Sequence, residues 1–183
     1  MKGVSIVLNL YEPKKEILQK ILSSFEEQDT SLAIELVIVN KKVDEHILRI
    51  IQEFKSRSKK IHTVIHKVEE TLSFASSMNV GITKARYNPV VVIQQDCIPI
   101  GKQWLSDLLI PFKDPKVVAT VSKVVFPDEL WNDLSAFGKV LMIREKGTIT
   151  PLLDEKACAY RKDALDRIGS FNDKDFKTAG EDY

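Results

Sequence analysis

Apolar runs of strand length alternate with amphipathic helical stretches from the first residues of this chain, and that rhythm leaves few folds open. Residues 4–10 form an apolar run of the kind covered on both faces of a sheet. Pro13 opens a helix at a favoured early position, and Ile17, Leu18, Ile21, Leu22 and Phe25 fall on one helical face. Residues 34–40 make a second apolar strand, a helix over 43–58 turns Ile47, Leu48, Ile51 and Phe54 inward, and 61–66 make a third strand. The Ser73 hydroxyl caps a helix over 74–85. Asn88-Pro89 then breaks the chain before a strand at 90–95. A helix at 104–112, a strand at 117–125 and a helix at 161–168 closed by Gly169 continue the series, while 130–140 stays open between a helix and an excursion. Four strands alternating with helices in about 95 residues predict an α/β fold with a doubly wound, mostly parallel sheet.

Composition narrows the function. The 183 residues are 44% apolar and 29% charged, enough for one domain with a sizeable core. Lys+Arg (27) and Asp+Glu (26) nearly cancel to +1, so no net field draws the chain to nucleic acid. Apolar runs of four or five residues, such as 90–93, are too short to span a bilayer, and the run at 4–8 is too short for a secretory leader. A cytoplasmic location is the expectation. The closest pair among seven glycines, Gly138 and Gly147, is nine residues apart, which excludes a Gly-x-Gly-x-x-Gly fingerprint, a Walker loop and a nucleophile elbow. Cys97 and Cys158, 61 apart, cannot form a zinc knuckle and are expected to be buried thiols. His62 and His66 lie on a strand, where four residues span about 13 Å, too far to share a metal. The basic run at 55–60 reads as the solvated end of a helix.

In an open α/β sheet, ligands bind beyond the carboxyl ends of the strands. Here those ends read Asn9-Leu10-Tyr11-Glu12, Asn40-Lys41-Lys42 and Gln94-Gln95-Asp96-Cys97, polar groups that outline a nucleotide crevice. Asp96 stands out. A carboxylate just after a buried strand sits where a hard divalent cation can be held against phosphate oxygens.

The order of these features resembles the inverting GT-A glycosyltransferases of family two. Residues 4–12 resemble that family's first strand and aromatic-bearing nucleotide loop. Residues 74–85, Phe-Ala-Ser-Ser-Met-Asn-Val-Gly-Ile-Thr-Lys-Ala, are similar to its Phe-Ala-x-Ala-Arg-Asn-x-Gly-Ile-x-x-Ala helix. Gln94-Gln95-Asp96-Cys97-Ile98-Pro99, followed by Trp104-Leu105, stands where the family has Asp-x-Asp, a proline and a Trp-Leu pair. Residues 159–171 resemble the segment before its catalytic loop, and Gly180-Glu181-Asp182 its Glu-Asp motif. Three positions depart: Asn40 replaces a common Asp, Met78 replaces the Arg before the helix Asn, and Gln94 replaces the first Asp of Asp-x-Asp. The Gln94-Gln95-Asp96 form is similar to that of a rhamnosyltransferase-like branch, whose segment reads Thr-Gln-Asp-Ala-x-Pro.

The resemblance implies a GT-A fold of the nucleotide-diphospho-sugar transferase type and transfer of a sugar to an acceptor hydroxyl with inversion. It implies donor contacts at Asn9, Tyr11, Glu12, Asn40, Asn79, Gln94 and Gln95. Asp96 is left as the family's metal carboxylate, for Mg²⁺ or Mn²⁺ bound together with the donor. Asp182 becomes the catalytic base, with Glu181 supporting it. The implied partners are a nucleotide-diphosphate sugar and a glycan or lipid-linked acceptor. The chain ends one residue after Asp182, so residues 1–183 are expected to be a single GT-A-like catalytic domain lacking its C-terminal acceptor-side part. Peripheral contact with the inner face of the membrane would come through that part, and 1–183 alone is expected to bind donor but transfer sugar poorly. A donor-binding or scaffold domain without transfer is the alternative, favoured by Asn40, Met78 and Gln94. A nucleotidyltransferase is disfavoured, because 9–12 offers no glycine-rich basic loop.

Overall fold

The computed structural model describes residues 2–143, 146 and 156–175. Its first half follows the predicted alternation: β1 (Gly3–Tyr11), α1 (Lys15–Glu26), β2 (Ala33–Lys42), α2 (Glu45–Arg57), β3 (Ile61–Lys67), α3 (Phe74–Lys84) and β4 (Val90–Ile93). Then come α4 (Trp104–Leu109), a 3₁₀ turn over Ile110–Lys113, β5 (Ala119–Val121), α5 (Asp128–Asp133), α6 (Ala136–Leu141), β6 (Ala157–Tyr160) and α7 (Lys162–Ile168). The six strands form one sheet in the order β3-β2-β1-β4-β6-β5. β1 is parallel to both β2 and β4, and β2 to β3; β6 runs antiparallel between β4 and β5. The mostly parallel α/β sheet read from the sequence is therefore the sheet observed.

Helices cover both faces. Alternation along β1 sends Val4, Ile6, Leu8 and Leu10 into one core with Leu18, Ile21, Leu22 and Phe25 of α1, Ile47, Ile51 and Phe54 of α2, and Leu105 and Leu108 of α4. Val7 points the other way, into a second core with Val37, Val39, Met78 and Ile82 and with Leu165 of α7. Gly81 lets α3 lie this close: a Cβ there would collide with Val7 Cγ1 and come within 2.9 Å of Val39 Cγ2. Met78, where the family resemblance expects an arginine, is fully buried in that second core.

The differences from expectation have local causes. Pro13 precedes the N-cap Lys14 of α1 rather than occupying its first turn. Ser73 does cap α3, accepting a bond from Ser76 N–H at 3.0 Å. The helix at 104 gives way to the 3₁₀ turn around Pro111, which has no N–H to continue it. β4 stops at Ile93, two residues early, where the chain enters the turn that Cys97 N–H closes on the Gln94 carbonyl at 3.2 Å. β5 is three residues long, with Ala119 to Val121 paired to Tyr160 to Cys158 of the four-residue β6. The ambiguous stretch at 130–140 is two short helices, the second capped by Ser135. Gly169, in the left-handed region at φ 87°, ends α7 as expected. Cys158 is buried, whereas Cys97 is only half-buried. No helix among the described residues is long and apolar enough to cross a membrane.

Candidate functional site

β1 to β4 are mutually parallel, so all four finish at one end of the sheet, and the polar residues that follow them meet there. The end of β1 is tied to the turn after β4. Tyr11 N–H donates to Gln95 Oε1 at 2.8 Å, and Gln95 Nε2 donates to the Tyr11 carbonyl at 2.9 Å. Asp96 comes next, exposed, in a turn closed by Cys97 N–H on the Gln94 carbonyl at 3.2 Å. The Cys97 thiol lies 3.7 Å from Asp96 Oδ1. Among the described residues no cation pairs with Asp96.

The pairing of β1 with β2 slips at its last step: Leu10 faces Asn40, but Tyr11 faces Lys42, making Lys41 an extra residue. Both ammonium groups therefore reach the half-exposed Tyr11 ring, at 5.4 Å and 5.7 Å from its centroid. Lys42 Nζ is 2.8 Å from both Glu12 and Glu70. Its hydrogen bonds to Glu12 and then Glu70 raise its pKa above the ordinary lysine value. Glu70 also accepts from the Tyr11 hydroxyl at 3.5 Å. Glu12 holds φ 47°, a left-handed backbone that costs a residue with a side chain about 1 kcal/mol. Its N–H donates to the Lys42 carbonyl at 2.7 Å, which fixes that turn at the crevice mouth.

The remaining candidates sit deeper or to one side. Asn9 is buried, and its Nδ2 donates to Ser77 Oγ of α3 at 2.5 Å while its Oδ1 has no partner. Asn40 is buried at the end of β2, with its carbonyl accepting Val68 N–H at 2.9 Å. The Asn79 carboxamide is engaged with the Phe171 backbone, donating to its carbonyl at 2.9 Å and accepting its N–H at 3.0 Å. Gln94 is half-buried at the end of β4. The structure thus joins Tyr11, Glu12, Gln95 and Asp96 in one crevice and turns Asn9 and Asn79 toward α3 and Phe171. Glu181 and Asp182 lie outside the described residues. Glu70 was not among the candidates, and Lys42 entered only as part of its strand end. The strand-end rule, applied to β3 as to its neighbours, leads to Glu69 and Glu70.

Among the described residues, no three His, Cys, Asp or Glu side chains gather to hold a metal. One exposed carboxylate still suits a hard divalent cation, which keeps water and takes phosphate oxygens as its other ligands. Asp96, at a strand end and unpaired with any described cation, fits Mg²⁺ or Mn²⁺ in that manner.

Residues 5–169 match the family model described as glycosyl transferase family 2. No curated protein matches the chain in sequence. Among solved structures, the chain is similar to the mannosyltransferase PcManGT from Pyrobaculum calidifontis, in complex with GDP-Man and Mn²⁺. The TM-score is 0.74 at 21% identity, over 98% of this chain and 49% of that one. It is similar to S. aureus TarS 1–349 at a TM-score of 0.72 and 17% identity, over 98% of this chain and 52% of that one. The same TarS piece in complex with UDP-GlcNAc gives 0.66 at 16% identity, over 93% and 48%. These likenesses show the fold, and the chain spans about half the length of the structures it matches.

Proposed function

The chain belongs to glycosyl transferase family 2, and on that premise we propose that it moves a sugar from a nucleotide-diphosphate donor to an acceptor hydroxyl, with inversion at the anomeric carbon. The observation that carries this reading is the crevice: an exposed acid, Asp96, one residue from the side chain that grips the end of β1 at an exposed tyrosine. Tyr11 offers its ring to the base, and Asn40 its carboxamide to the base edge. Glu12 and Gln94 border the ribose and diphosphate. Asn9, Asn79 and Gln95 shape the walls from behind.

Asp96 is the residue to hold Mg²⁺ or Mn²⁺. A divalent cation there supplies positive charge to a diphosphate leaving group. The mannosyltransferase with GDP-Man and Mn²⁺ supports that pairing of ion and donor. Asp182 accepts the proton of the attacking hydroxyl, and Glu181 supports its loop. Attack from the face opposite the leaving group inverts the configuration in one displacement. Residues 1–183 form one GT-A-like catalytic domain. The acceptor is a glycan or lipid-linked hydroxyl, met at the cytoplasmic face of the membrane. The Gln94-Gln95-Asp96 form favours a rhamnosyltransferase-like branch.

A second reading, donor binding without transfer, has its own support. Met78 is buried and brings no cation to the crevice, and Gln94 brings no charge. Calorimetric titration with a panel of nucleotide sugars, with and without Mn²⁺, followed by product analysis, separates the two. Transfer that Asp182→Asn reduces about 10³-fold at unchanged donor affinity supports the enzyme. Binding with no turnover at all, in place of slow transfer that Asp182→Asn abolishes, supports the second reading, and no binding rejects both.

A further inference from the structure

We infer that Gln95 is a positioning residue: it holds the Tyr11 backbone in register with the Asp96 turn, so that the base platform and the metal carboxylate are set by one side chain. The inference rests on the donor-binding reading and goes beyond it. The backbone ladder between β1 and β4 runs from Ser5↔Val90 to Leu8↔Ile93 and ends there, because the chain then enters the turn that Cys97 N–H closes on the Gln94 carbonyl. Three residues later β1 still needs a neighbour on that side. The Gln95 carboxamide supplies it, accepting the Tyr11 N–H at 2.8 Å and donating to the Tyr11 carbonyl at 2.9 Å. A primary amide carries one acceptor and one donor edge, as a strand backbone does. The two partners also fix which way the amide faces, since an N–H requires the oxygen and a carbonyl requires the nitrogen.

The site needs this grip. Tyr11 stands where the β1–β2 register slips, and the next residue, Glu12, is in the left-handed region. On the β2 side, the Glu12 N–H is held by the Lys42 carbonyl at 2.7 Å. On the β4 side, the described hold on Tyr11 is the Gln95 carboxamide. Asp96 is the very next residue, so a shift of the Tyr11 backbone and a shift of the Asp96 turn are mechanically one motion.

The test uses the 183-residue chain, with GDP and UDP as probes in metal-free buffer and with Mn²⁺. Gln95→Leu, which keeps the bulk and removes both bonds, lowers affinity for whichever nucleotide binds by about tenfold, with and without Mn²⁺. It also speeds hydrogen exchange at the Tyr11 amide while leaving exchange in α1 and α3 unchanged. Gln95→Glu supplies a signature that bulk packing cannot. A carboxylate accepts from the N–H but cannot donate to the carbonyl, whereas the neutral acid does both. In neutral buffer Gln95→Glu therefore speeds hydrogen exchange at the Tyr11 amide less than Gln95→Leu does, because its carboxylate still accepts that N–H. Tyr11 exchange as fast in Gln95→Glu as in Gln95→Leu, or Gln95→Leu binding as well as the unsubstituted chain, overturns the positioning role alone. Failure of the unsubstituted chain to bind any nucleotide overturns the donor-binding reading and this inference with it.

Discussion

The two ends of the parallel strands are built on opposite plans. Where the strands begin, charge is sealed. Glu35 of β2, 3% exposed, accepts the Ser5 hydroxyl at 2.5 Å and the Arg86 N–H at 2.7 Å, with Arg86 Nε 3.6 Å from its other oxygen. The Ser5 oxygen in turn accepts Tyr87 N–H at 2.9 Å. Where the strands finish, polar groups face outward: Asp96 is exposed, Tyr11 is 42% exposed, and Lys42 is shared between two carboxylates at the surface. The first arrangement has its partners inside the protein, and the second leaves capacity for a ligand. The contrast teaches that polar residues on one sheet divide by address: the starting end holds the chain together, and the finishing end is available for chemistry.

The sharpest way to break this comparison is at Glu35. Glu35→Leu removes the acceptor for the Ser5 hydroxyl and the Arg86 N–H and frees the α3–β4 loop. It should cost about 3 kcal/mol of stability, since hydrogen bonds to charged groups are worth more than neutral ones. Urea denaturation reads the loss, and GDP or UDP affinity measured well below the transition should not change. A stable variant with lost nucleotide affinity would mean that the starting end also serves the site.

The sequence announced the finishing end better than the starting end, for physical reasons. The apolar runs at 4–10 and 34–40 are strands because helices cover both faces, a pattern visible without any partner. Tyr11 and Asp96 are found from the strand-end rule alone. The Glu35 clasp is not legible, because it joins residues 30 and 51 positions apart and one glutamate inside an apolar run carries no signal. β6 was missed too. Four residues show no periodicity, and Ala157–Tyr160 is a strand because β4 and β5 flank it. The Lys42–Glu70 pair depends on the register slip after Leu10, which no local pattern encodes.

At the finishing end the expected effect is smaller and of the other kind. Asp96→Ala should remove the gain in donor affinity that Mn²⁺ confers, about tenfold for one carboxylate ligand, while metal-free affinity stays as it was. Because Asp96 is exposed, the denaturation midpoint should hold within about 0.5 kcal/mol. Calorimetry of the nucleotide sugar with and without Mn²⁺ measures the first quantity, and urea titration the second. A Mn²⁺ gain that survives the substitution moves the metal away from Asp96.

The smallest effect grades the starting end itself. Beside the Glu35 clasp lies a second one at the surface: Asn88 Nδ2 donates to Asp163 at 2.8 Å, and Asn88 Oδ1 accepts Lys162 N–H at 3.0 Å. The Asn88 hydrogen bond lowers the Asp163 pKa below its ordinary 3.8, with the charge of Arg167 helping. A carboxyl lowered on folding stabilises the protein above its unfolded pKa and loses that contribution as pH falls through the folded value. The window is therefore acidic, from about pH 5 downward. Asp163 is 57% exposed, so solvent screens the interaction and the contribution should stay below about 0.5 kcal/mol. Asp163→Asn keeps an oxygen for Asn88 but does not titrate. Between pH 5 and pH 3 the unsubstituted chain should lose slightly more stability than this variant, and Asn88→Ala should flatten the difference in the same way. Equal acid slopes in all three would show that the surface clasp adds nothing, leaving the buried Glu35 clasp to carry the starting end.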